Sequence, residues 1–230
     1  VHGPMMQYTP LEARLDQERM AKRLDELQSK IGAIGQAKFP GLIGEWHSPT
    51  QVEDASQFSL AGSMTITAEI NTTSAIGDIV SKYDWKAGER SYVFGVGGEG
   101  DVKAEPGKLF AWFSSEAATF KGVVAYGSRR VDDGQPHHVA MVFEAGKSVR
   151  FFVDGIEDEA VRIDGPIPNT VAQSARGLAV GAGFENSSRA SAFRFDGRLA
   201  NVRLYDRVIS NPSGLDLSKP EVAEYRRLAK

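Results

Sequence analysis

The chain has 230 residues, 41% of them hydrophobic and 25% charged, with a formal net charge of -3. That is enough apolar material for one sizeable core and gives no basic stripe of the kind nucleic-acid binding needs. The absence of cysteine excludes disulfides, thiolate nucleophiles, Cys-ligated zinc and c-type haem within the chain. No apolar run approaches the ~18 residues required to cross a bilayer.

Residues 1–40 read as a linker followed by an amphipathic helix. Thr9-Pro10-Leu11-Glu12 places Thr as cap, Pro at the first helical position and Glu three residues after the cap, which is a capping box. Leu11, Leu15, Met20, Leu24, Leu27, Ile31 and Ile34 then recur at close to helical spacing, and Gly32, Gly35 and Pro40 stop the pattern. Two readings stay open: a helix packed on the sandwich, or a coiled-coil or domain-connecting segment.

From 41 to 210 the period changes to two. Strands are expected at Gly41–His47, Gln57–Ala61, Met64–Ile70, Ile79–Tyr83, Ser91–Val96, Leu109–Phe113, Lys121–Tyr126, Ala160–Ile163, Leu178–Gly181 and Phe193–Tyr205. Between them lies the most informative stretch: Val131 to Glu144, a turn at Ala145-Gly146-Lys147, and Ser148-Val-Arg-Phe-Phe-Val-Asp-Gly155. It reads as a β-hairpin entered and left through Asp-Gly pairs, which tolerate the positive φ of tight turns. About a dozen short strands at this spacing predict an all-β, two-sheet sandwich or jelly roll. Residues 211–230 form a polar tail in which Pro220 to Leu228 is expected to be a short helix, with Ser218 as cap.

Met64 to Ser210 resembles the laminin G-like and pentraxin-like jelly rolls of the concanavalin A-like lectin/glucanase class. The resemblance is carried by Ile79-Val-Ser-Lys-Tyr-Asp84, the hairpin, Leu178-Ala-Val-Gly181, and Phe195-Asp-Gly-Arg-Leu-Ala-Asn-Val-Arg-Leu-Tyr-Asp-Arg-Val-Ile-Ser210. Members usually carry Trp where this chain has Glu69. A helix joined to such a sandwich is also similar to an insert of large planctomycete-type multidomain proteins with separate cytochrome c-like regions. The resemblance implies an extracytoplasmic protein and neighbouring domains in a longer parent. Pentraxin-like members bind calcium through loop carboxylates and amides. Here the matching positions fall on Gly183, Phe184, Glu185, Phe193, Gly88 and Glu89, so a double-calcium site is not expected and at most one calcium is compatible.

The resemblance implies non-catalytic binding of a carbohydrate or glycosylated partner by loops at one end or along one face. The candidate residues are Asp84, Trp85, Glu89 and Arg90 in one loop and Glu185 and Asn186 in another. An exposed Trp stacks on sugar rings while charged neighbours take the hydroxyls. The bland alternative folds Trp85 over the sandwich edge. Trp112 and Phe110 share one side of a strand whose other side carries Leu109, Ala111 and Phe113, so the first pair either lines a groove or is covered. Trp46 is expected in the core. A structural module is the first alternative and a glycoside hydrolase the second. Glu157 and Glu159 are the nearest approach to a carboxylate pair, and they more simply form a solvated hairpin end. His137 and His138, adjacent on a strand, point to opposite faces and cannot easily grip one metal. His2 and His47 have no partner at metal-binding spacing.

Overall fold

The computed structural model describes residues 10–98 and 105–229. The capping-box residue Thr9 and His2 lie outside the described residues. The chain divides into two compact units, 35–214 and a second built from 1–34 and 215–230.

Within the larger unit, thirteen strands among the described residues make two antiparallel sheets. The first has the order β1 (Leu42–Trp46), β13 (Arg198–Tyr205), β3 (Met64–Asn71), β8 (His137–Glu144), β9 (Ser148–Val153), β10 (Ile156–Glu157). The second runs β11 (Arg162–Asp164), β7 (Gly122–Arg130), β6 (Glu105–Ser114), β5 (Glu89–Gly97), β4 (Gly77–Asp84), β12 (Leu178–Val180), β2 (Thr50–Val52). Alternation sends Met64, Ile66, Ala68 and Ile70 of β3 into one core with Tyr92, Phe94 and Val96 of β5 and Leu109, Ala111 and Phe113 of β6. Phe113 of one sheet stacks on Phe143 of the other at 4.0 Å, and Phe94 faces Phe151 at 6.2 Å. Each such fully buried side chain contributes about 1.5–3 kcal/mol of apolar transfer. Trp46 is partly buried and packs on this core beside Phe58.

The hairpin forms as its sequence dictates. Glu144 pairs with Ser148 around a three-residue turn in which Lys147 N–H donates to the Glu144 carbonyl and Gly146 has φ 70°. Its exit turn holds both Asp154 (φ 52°) and Gly155 (φ 77°) in the left-handed region, the requirement that selects Asp-Gly. Several bounds differ from the pattern. Gln57–Ala61 is not a strand: Ser56–Phe58 forms a 3-10 turn that drops Phe58 into the core. β2 was not legible in Thr-Gln-Val, an edge strand with one half-buried residue. Residues 193–197 are irregular because Phe193 takes φ 47° and its carbonyl accepts from Asp78 N–H, so β13 begins at Arg198.

In the smaller unit, α1 (Pro10–Ile31) ends before Gly32, whose φ is 81°. α2 (Pro220–Leu228) is N-capped by Lys219 without a side-chain bond, and Ser218 bonds Asp216 instead of capping. Arg23 grips Glu224 through two hydrogen bonds of 2.9 and 2.7 Å, tying the helices together. Leu11, Leu15 and Met20 are exposed.

Candidate functional site

The β4–β5 hairpin fixes the first candidate loop. Asp84 closes β4 opposite Glu89 and is fully buried. One of its oxygens accepts from Ala87 N–H at 3.2 Å and from Asn186 N–H at 2.9 Å, and the other faces the Arg176 guanidinium at 2.9 Å. Asp84 therefore joins three segments that are distant in sequence: its own turn, the loop 183–190 and the approach to β12. Fully buried and facing protein groups on both oxygens, this carboxylate is out of a ligand's reach. It positions.

Arg90 is spent in the same way. Its guanidinium donates to the carbonyls of Ala117, Ala118 and Trp85 at 3.1, 2.5 and 2.7 Å, locking the loop to the turn between β6 and β7. Glu89 accepts from Ala175 N–H at 2.7 Å. Three of the six predicted side chains thus hold the rim together, while the rest face outward. Trp85 is 46% exposed, and Glu185 and Asn186 are exposed. Lys86, which the sequence reading missed, sits between them. Its ammonium lies 2.5 Å from Glu185 and 5.3 Å from the centre of the Trp85 ring, a cation–π contact. Its only sequence signal was adjacency to Trp85. Arg176 carried no local signal.

The structure brings all six residues to one rim. The backbone there is held at both ends of the second loop: Asn186 by Asp84, and Ser188 and Ala190 by the Gln51 amide at 2.7 and 2.8 Å. The donor set does not fit calcium. Glu89 is bonded to a main-chain amide and Glu185 to Lys86, and among the described residues no group of three or more His, Asp or Glu could hold a metal ion.

Trp112 belongs to a separate cluster with Tyr83, Val93, Phe110 and Tyr126 on the face of the second sheet away from the core. Four of these are 0–3% exposed, so the face is covered. Phe120 abuts the Trp112 ring edge-on at 6.3 Å and Arg162 stacks 4.4 Å over Tyr126.

The histidines separate as the strand requires. His137 bridges Asp154 at 2.7 Å and Asp133 at 3.0 Å, and the Asp154 contact raises its pKa despite partial burial. His138 is 6% exposed with neither ring nitrogen hydrogen-bonded, and burial lowers its pKa to about 4. Hydrogen bonding thus falls to His137 and burial to His138. His47 bonds Asn201 at 2.9 Å. Glu157 lies 3.7 Å from Arg150 and Glu159 is exposed. Asp158 between them is buried, taking bonds from the Ser128 hydroxyl and amide at 2.6 Å.

Two antiparallel layers with ordered loops gathered at one rim define a lectin-type jelly-roll sandwich. Residues 44–213 match the laminin G-type model of the Concanavalin A-like lectin/glucanases superfamily, and the chain belongs to that family. No curated protein matches the sequence. Among solved structures, the CBM40 domain of the Ruminococcus gnavus IT-sialidase is similar with TM-score 0.54 at 16% identity, over 74% of this chain and 94% of that one. Domains LG4-5 of the mouse laminin alpha1 chain give 0.47 at 19%, covering 73% and 45%. The native heptameric SAP-like pentraxin of Limulus polyphemus gives 0.43 at 12%, covering 86% and 80%.

Proposed function

We propose that this chain is a non-catalytic binding module that recognises carbohydrate, free or on a glycosylated partner, at the rim formed by loops 84–90 and 183–190. The observation that carries this reading is Trp85, 46% exposed on a loop whose backbone is fixed by Asp84 and Arg90. A large aromatic side chain held in water by a rigid frame loses little entropy on stacking against a sugar ring. Lys86, Glu185 and Asn186 supply polar groups beside it. The R. gnavus domain of like fold carries the name of a carbohydrate-binding module, which supports the class and not the sugar. An extracytoplasmic location accords with the reading.

Trp85→Ala tested on a glycan array against the unaltered chain decides it. Binding that disappears with unchanged melting temperature is the expected result. Unchanged glycan binding removes Trp85 from the site, and no glycan bound by either protein removes the carbohydrate reading.

A second reading, an assembly module joining neighbouring domains, rests on the exposed Leu11, Leu15 and Met20 of α1. Under it, Leu15→Glu with Met20→Glu abolishes association with flanking segments of the parent chain and leaves glycan binding intact.

A further inference from the structure

A hollow of about 200 Å³ opens beside β2 and β12, lined by Pro49, Thr50, Gln51, Gly181, Arg189 and Arg194 among others. We infer that this hollow binds the carboxylate of an acidic saccharide between the guanidinium groups of Arg189 and Arg194. The inference rests on the carbohydrate reading above and names the ligand class.

The charge balance of the wall is one-sided. Arg130, Arg150, Arg162, Arg176 and Arg207 each face a carboxylate, whereas the exposed Arg189, Arg194 and Arg198 do not among the described residues, and of those three Arg189 and Arg194 line the hollow. Arg189 and Arg194 are exposed and have no ion pair among the described residues, and the hollow's named lining includes no Asp or Glu. Two uncommitted guanidinium groups at one concavity form a locally positive site with up to ten N–H donors and no acceptor of their own. A carboxylate meets such forks through paired hydrogen bonds.

The loop presenting Arg189 is not slack. Gln51 bonds Ser188 and Ala190 on either side of it, Arg189 N–H donates to the Ser187 hydroxyl at 3.1 Å, and Gly183 pairs with Ala192 across the loop base. On the opposite wall Gly181 has φ 78° and packs so closely on Pro49 that a Cβ would stand 2.9 Å from its ring. A side chain at position 181 would therefore press on Pro49, itself part of the wall. Its volume is below the ~300–1,000 Å³ typical of a whole-ligand pocket, so it takes one charged group and part of its ring. The remainder of a glycan would extend out of it. Asn186, three residues before Arg189, belongs to the Trp85 rim, so a single loop serves both places.

The test uses the full chain on an array of carboxylated, sulfated and neutral glycans at low and high salt. Carboxylated glycans are expected to be retained, with binding weakened by salt. Arg189→Ala and Arg194→Ala each lower affinity roughly 10-fold or more. Arg189→Lys and Arg194→Lys, which keep the charge and lose the fork, also fall. Both side chains are exposed and have no ion pair among the described residues, so these variants keep the melting temperature of the parent. Neutral glycans bound in a Trp85-dependent way with no acidic glycan bound overturn this inference and leave the proposed function standing. Sulfated glycans held as well as carboxylated ones, with Lys variants as good as Arg, overturn the carboxylate assignment. Acidic glycans bound equally by the Ala variants move the site elsewhere, and no glycan bound overturns both readings.

Discussion

Replacing His138 by Leu should change how stability depends on pH more than it changes stability at neutrality. The ring stands on β8 opposite Glu69, under the main chain of Gly35, where any Cβ would collide with it. Burial is the largest influence on its proton affinity. Asp154 and Glu69 partly oppose that influence, and Arg203 adds to it. The unfolded chain binds the proton near 6.5 and the folded one only near about 4. Stability tied to this group is therefore complete above 6.5 and is lost as pH falls toward 4. At about 1.4 kcal/mol per pH unit, the loss reaches about 2.5 kcal/mol by pH 4.5. Urea unfolding of the parent and of His138→Leu at pH 7.0 and 4.5 measures it. The carboxylates titrate in both proteins and cancel in the difference, so the variant should lose about 2.5 kcal/mol less than the parent. Equal losses would refute the reasoning. His137 acts with the opposite sign. Its raised pKa supplies stability below 6.5 that disappears as pH climbs through its folded value.

Asp84→Ala leaves Arg176 without its carboxylate and removes the bonds that tie both candidate loops to β4. It should cost about 3 kcal/mol and abolish glycan binding even though Trp85 is intact, measured by denaturation alongside the array. At another buried ion, Lys82 is fully buried and bonds Asp54 at 2.7 Å, whereas the Asp54 side chain is 44% exposed. Asp54→Ala leaves the buried ammonium with the Arg176 carbonyl and no counter-charge and should cost about 2–3 kcal/mol, while Lys82→Met lets Asp54 return to water and should stay within about 1 kcal/mol of the parent; the reverse order in denaturant melts would refute this. Gly155→Ala forces a side chain into φ 77° and should destabilise by about 1–2 kcal/mol in the same assay, with binding unchanged.

The β8–β9 hairpin shows what the residues settle locally. Period-two alternation, a Gly at the three-residue turn and Asp-Gly at the exit specify register without help from distant parts of the chain, because side-chain facing and φ sign are short-range properties. The same holds for the end of α1 at Gly32 and for the opposed directions of His137 and His138. The sequence left Trp85 open between an exposed ring and one folded over the sandwich edge, and the tertiary structure leaves it 46% exposed. What each charged candidate does was not legible. Asp84, Glu89 and Arg90 read as ligand contacts in a polar loop, yet their partners lie at Arg176, Asn186, Ala175 and Ala117, up to about a hundred positions away. Whether a charge is free for a ligand depends on which distant backbone amide or ion arrives beside it. For the same reason Arg189 and Arg194 looked ordinary in sequence. Only the folding of β2 against β12 set them around one hollow, since electrostatic and hydrogen-bond satisfaction is fixed by distances between segments that chain order does not encode.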